Sequence, residues 1–240
     1  MIHQVTRYTD ALSAFENWNL TDFASKKEDV SSLIEAMGKV QSRSEDADWN
    51  AGLNVMRFQL ARATSLLAHC HELSGPTGET NELYTAGRGV TVLIQEEKSA
   101  QAKWSVLAQL TTALLAGNSV ILCSDDDTLC TVLEDACTHS SLPTHVLQVA
   151  PLEAHPQLLE SDIRCIGYVG QTQALVRLNR QLAKRSGAIV SLVSETDLSA
   201  LPVAQDPHLA LRFITERTRT INITAVGGNA TLLELGSESH

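Results

Sequence analysis

Residues 162–197, DIRCIGYVGQTQALVRLNRQLAKRSGAIVSLVSETD, constrain the fold more than any other stretch of the chain. The run 163–169 is short, apolar and β-branched, as a buried strand is. Gly170, Gln171 and Thr172 make a turn, with Thr172 placed to cap a helix. Leu175, Leu178 and Leu182, with Val176 and Ala183 on the flank, keep the three-and-four spacing of a buried helical face. Gly187 predicts the helix stop, and 188–193 is a second, nearly continuous apolar strand. A strand–helix–strand unit of this length closes as a right-handed parallel crossover.

The same alternation runs upstream. Strands are expected at 89–95, 119–123 and 145–149, and helices at 99–116, 125–139 and, briefly, 153–159. Short connections between them imply a Rossmann-like, doubly wound parallel sheet over residues 87–198. Residues 1–86 read as helical, with segments at 10–18, 27–40 and 47–72; Ser25, three residues before Glu28, is a candidate cap for the second. His69 and His71 flank Cys70 at a spacing that points them apart on a helix, a poor chelating pair. Beyond Glu195 the pattern changes. Strands are expected at 209–214, 218–224 and 230–235, with a tight turn at Gly227, Gly228 and Asn229. No helix separates them, so residues 199–240 form an antiparallel β-flap. A lone ribbon is marginal in water, so the flap must lie on another surface.

Composition narrows the partners. With 43% hydrophobic residues in 240, the chain has enough apolar surface for a core, yet no apolar run reaches the roughly 18 residues of a membrane span. The N-terminal MIHQVTRYTDALSAF lacks the apolar centre of a signal peptide, so a cytoplasmic location is expected. A net charge of −10 argues against nucleic-acid or membrane-surface partners. The five cysteines contain no CxxC pair and read as reduced thiols, Cys123, Cys130 and Cys137 among them. Asp125, Asp126 and Asp127 open a helix, where acids favour the dipole; that role is preferred to metal binding.

Four segments together resemble the aldehyde dehydrogenase superfamily, and most closely the long bifunctional proline utilisation A family. GPTGETNEL (75–83) resembles the segment preceding the nucleotide domain. TTALLAGNSVIL (111–122) resembles that family's AAALAAGNAVI. Residues 162–196 resemble its strand, Gly-Ser-Thr turn, helix and the strand ending in Glu-Thr-Gly-Gly. ERTRTINITAVGGNATLLELG (216–236) resembles the C-terminal closing motif of the long proteins.

The departures from the family pattern bear on chemistry. The family's Pro-Trp-Asn-Phe-Pro, whose Asn helps hold the thiohemiacetal oxyanion, is missing, and Ala100 stands in the Asn position. The ribose-binding Lys is Cys123, followed by Ser124. Gln171 replaces the Ser of the turn, and Asp197 and Leu198 replace the two glycines after Glu195 and Thr196. No Cys follows Cys165, so the nucleophile is missing. Thioester chemistry needs a thiolate, an oxyanion donor and a base in one cleft. A dinucleotide needs close backbone approach and donors near its phosphates and ribose.

The resemblance therefore implies a non-catalytic domain with no bound cofactor, in which Glu195, Gly170, Gln171 and Thr172 are vestiges. Its implied partner is a 1-pyrroline-5-carboxylate dehydrogenase module, or a second copy of the chain, met through Thr218, Thr220, Asn222, Thr224, Gly227, Gly228 and Asn229. The alternative is a dehydrogenase fragment that keeps NAD and oxidises glutamate semialdehyde only with a separate catalytic domain.

Overall fold

Five strands pair in parallel, in the order 147–150, 119–124, 90–95, 165–169 and 191–195, and their apolar runs are what force helices onto both faces. The computed structural model describes residues 7–41, 47–75 and 79–222. The strands are β3 (Val90–Gln95), β4 (Ser119–Ser124), β5 (Leu147–Ala150), β6 (Cys165–Val169) and β7 (Ser191–Glu195). Leu93 stands level with Leu122 on one side and Gly167 on the other. Helix α4 (Ala100–Leu115) buries almost its whole length against one face, with Ser99 capping it through the Ala102 amide at 3.2 Å. Helices α2 (Phe23–Gln41), α3 (Ala47–Leu67) and α5 (Asp127–His139) share that face's core through Leu33, Met37, Met56 and Leu133. The other face is covered by α1 (Tyr8–Leu20), α6 (His155–Leu158) and α7 (Thr172–Leu182), through Ala11, Leu158, Ala174 and Leu178. This is the expected doubly wound α/β arrangement.

A second sheet was not legible in the sequence. Strands β1 (His71–Leu73), β2 (Glu79–Gly87) and β8 (Ile214–Asn222) form an antiparallel sheet in the order β1-β2-β8. The flap strand thus pairs within the chain, nine residues against nine, from Gly87 opposite Ile214 to Glu79 opposite Asn222. It is not a lone ribbon. The turn at Gly227, Gly228 and Asn229, the strand expected at 230–235, and Thr224 lie outside the described residues.

Several boundaries differ from expectation for local reasons. Helix α2 begins at Phe23, capped by Asp22, which accepts from the Ser25 amide at 3.0 Å and the Ser25 hydroxyl at 2.7 Å; Ser25 is inside the first turn. Helix α3 ends at Leu67, so His69 and His71 are not helical, and His71 is exposed on β1. Thr172 is the first residue of α7; Gln171 holds the cap position without a side-chain bond to the helix amides. That helix stops at Leu182, well before Gly187, and β7 starts only at Ser191. Residues Leu209–Arg212 form a 3-10 turn, with Leu209 and Ala210 buried, in place of the strand expected at 209–214.

The two sheets are locked at one close approach. Gly117, at φ +93°, ends α4. A Cβ on Gly87 would stand 2.5 Å from the Gly117 carbonyl oxygen, so only glycine lets β2 reach the body there.

Candidate functional site

In parallel α/β sheets ligands bind beyond the carboxyl ends of the strands, at the crevice where strand order reverses. Here that end is formed by Gln95 of β3, Ser124 of β4, the Gly170 turn after β6 and Glu195 at the end of β7. The structure brings the sequence candidates together: the Gly170 amide donates to the Glu195 carbonyl at 3.2 Å.

The turn itself is occupied by protein. A Cβ on Gly170 would lie 2.6 Å from the Tyr168 hydroxyl and 3.0 Å from Glu96 Cβ. The buried Tyr168 hydroxyl donates to Glu96 Oε2 at 2.6 Å and stands 3.0 Å from the Gln171 carbonyl. Burial, then the bond to the Glu96 carboxylate, raises its pKa well above the usual phenol range. Gln171 Nε2 donates to Glu97 Oε1 at 3.0 Å. Two carboxylates thus flank the turn at the amino end of α7, where a pyrophosphate needs donors and positive charge.

The neighbouring strand ends carry a buried polar network. Ser124 Oγ donates to Gln95 Oε1 at 2.8 Å and receives the Asp126 amide at 3.0 Å. Asp126 caps α5 through the Leu129 amide at 3.1 Å and meets Lys103 Nζ at 3.4 Å. Asp125 accepts from the Leu152 amide at 2.9 Å. Asp126 shows the structural role expected at the start of this helix, whereas Asp125 lies before the helix and instead ties the end of β4 to the segment after β5. Ala100 opens α4 beneath α3, whose Asp48 carbonyl accepts from Trp104 Nε1 at 2.7 Å.

Glu195 is buried, with 1% exposure, and is already engaged: its Oε2 accepts the Val203 amide at 2.8 Å and the Ala204 amide at 3.2 Å. Burial raises its pKa, and the amides of Ala204, Val203 and Asp197 pull the other way. Oε2 of this carboxylate is thus committed to the backbone of residues 203 and 204. The two cysteines in the parallel sheet, Cys123 and Cys165, are poor nucleophiles. Burial pushes the Cys123 and Cys165 thiols up to about 12, where thiolate is scarce at neutral pH. These residues do not fit NAD, the cofactor the family implies: the glycine approach is filled by Tyr168, carboxylates flank the turn, and Cys123 is buried in β4. Tyr168, Glu96 and Glu97 were not singled out from the sequence; an aromatic residue two before the turn glycine was the available signal.

Of the proposed interface residues, Thr218, Thr220 and Asn222 belong to the other, antiparallel sheet. Thr218, Thr220 and Asn222 stand opposite Leu83, Asn81 and Glu79 of β2. Among the described residues, β8 is the last strand of its sheet, and residues 216–221 are exposed. Arg219 pairs with Glu82 and lies 6.0 Å from the Tyr84 ring centre.

No family model matches the chain. Over 196 residues it is 26% identical to the bifunctional protein PutA of Escherichia coli (strain K12), a match covering 77% of this chain and 14% of that protein. Among solved structures, a point mutant of Bradyrhizobium japonicum proline utilization A superposes with a TM-score of 0.64 at 23% identity, over 78% of this chain and 21% of that one. A benzaldehyde dehydrogenase from Corynebacterium glutamicum, described as NAD-dependent, gives 0.59 at 17% identity, over 78% and 44%. The chain has an aldehyde-dehydrogenase-like fold and resembles proline utilization A, of which it spans a small part.

Proposed function

We propose that the chain is a non-catalytic aldehyde-dehydrogenase-like domain of proline catabolism, working by contact with a 1-pyrroline-5-carboxylate dehydrogenase module as a lid or assembly element. The observation that carries this is the state of Glu195, whose carboxylate is taken up by the Val203 and Ala204 amides. The packing of Tyr168 against the Gly170 turn supports the same reading. Among the described residues, the fold presents the outer edge of β8, a row of backbone donors and acceptors suited to strand addition. Arg217, Thr218, Thr220 and Asn222 line that edge strand.

Light scattering after mixing with a 1-pyrroline-5-carboxylate dehydrogenase module tests the proposal. A complex is expected with the full chain, and none after removal of residues 216–240, with the parallel sheet retained by circular dichroism. Association that survives the deletion overturns the lid function. A stable dimer of the chain alone, lost on the same deletion, assigns the edge to a second copy instead.

A further inference from the structure

We infer that Glu195, at the position of the family's acid, is a positioning residue that sets where the chain leaves the parallel sheet for β8. The functional consequence rests on the proposed role of the β8 edge; the positioning does not. After β7 the chain runs through residues 196–213 before β8 begins, and side chains from separate elements hold it. Glu195 Oε2 grips the Val203 and Ala204 amides. Gln59 of α3, wholly buried, donates from the other side to the Ala204 carbonyl at 2.8 Å and the Asp206 carbonyl at 3.1 Å. Ala204 is therefore held by its amide from β7 and by its carbonyl from α3.

The grip continues toward the flap. Asp206 Oδ2 accepts from Arg212 at 2.8 Å, the Arg212 carbonyl accepts from Arg88 Nε at 3.2 Å, and the Phe213 carbonyl accepts from Asn118 at 2.9 Å. Asn118 Oδ1 also receives the amides of Arg88 and Gly89, the turn between β2 and β3. Strand β2 thus ends, and β8 begins, at one cluster, whose far end is fixed by Glu195. Leu201 in the left-handed region, at φ 50°, marks the bend that this grip stabilises.

Hydrogen exchange with mass spectrometry on the full chain tests the inference. Glu195→Ala orphans two buried amides, so exchange in 201–212 is expected to rise about tenfold or more. A smaller rise is expected in 79–87 and 214–222, with 90–95 and 119–124 unchanged. Glu195→Gln, which keeps an acceptor oxygen, should restore protection, and Gln59→Met should loosen the same peptides from the α3 side. Unchanged exchange in both 201–212 and 214–222, or a uniform rise that includes 90–95, overturns it. If the pattern appears but the dehydrogenase module is not bound, Glu195 still positions β8 and only the lid function falls.

Discussion

Replacing Glu195 separates a structural acid from a catalytic one. In Glu195→Ala the Val203 and Ala204 amides lose their acceptor, and both lie in buried surroundings. Each orphaned amide costs about 1–3 kcal/mol. Relief from burying a carboxylate, the cause of the raised pKa, offsets part of this. The net expectation is a loss of about 2–3 kcal/mol, a large share of the 5–15 kcal/mol typical of a folded domain. With a urea dependence of about 3 kcal/mol per molar, the unfolding midpoint falls by about 1 M.

Glu195→Gln gives the opposite sign. A carboxyl whose folded pKa is raised stabilises fully below its ordinary value of 4.5, and that contribution is lost as pH rises through the folded value. The Gln variant, free of that loss, should be at least as stable as the parent at pH 7, with its advantage shrinking toward pH 4.5. Equilibrium urea unfolding of the three proteins at pH 4.5 and 7 measures both effects. An unpaired catalytic base in an open cleft would behave differently, since its removal tends to stabilise. Glu195→Ala as stable as the parent would refute the assignment.

Other perturbations test the frame around the site. Lys26 is 7% exposed, donates to the Asn19 carbonyl at 3.1 Å, and is held near a pKa of about 8 by burial. A lysine with a lowered folded pKa costs stability below that value and regains it as pH rises toward 10.5. Lys26→Met should therefore stabilise by about 1–2 kcal/mol at pH 7, after solvent screening and the lost hydrogen bond, with the gain fading between pH 8 and 10.5 in thermal melts. Gly87→Ala forces a Cβ against the Gly117 carbonyl and should cost about 1–3 kcal/mol in urea unfolding, far more than Gly38→Ala in α2, whose Cβ would make only an ordinary contact 3.7 Å from Leu53. In thiol labelling of the native protein Cys70, the one exposed cysteine, should react rapidly. Cys123, Cys130, Cys137 and Cys165, whose thiols burial holds at about 11 to 12, should react only on unfolding; fast native labelling of Cys123 would contradict the packing of β4.

The parallel sheet was legible because each of its strands is a short apolar run between helical patterns, as at 163–169 and 119–123. The three-stranded sheet was not. ETNELYTAG, residues Glu79–Gly87, is polar and only half buried, and its partner lies more than a hundred residues away in β8. Leu209, Ala210 and Leu211 looked like strand because they are apolar, yet Leu209 and Ala210 are buried in a 3-10 turn that packs on α3 and α4. The site was half legible. Gly170 and Glu195 were placed correctly at the strand ends, but the bond between Tyr168 and Glu96, 72 residues apart, is a tertiary fact with no local pattern. The cap on α7 was assigned to Thr172 one residue late, because a Gly-Gln-Thr turn permits either register and packing chose Gln171.

Calorimetric titration of the full chain with NAD tests most directly whether the Gly170 turn has lost its chemistry. With Tyr168 filling the turn and Glu96 and Glu97 beside it, no saturable heat is predicted up to millimolar NAD. Saturable binding at micromolar NAD, abolished by a bulky substitution at Gly170, would contradict it.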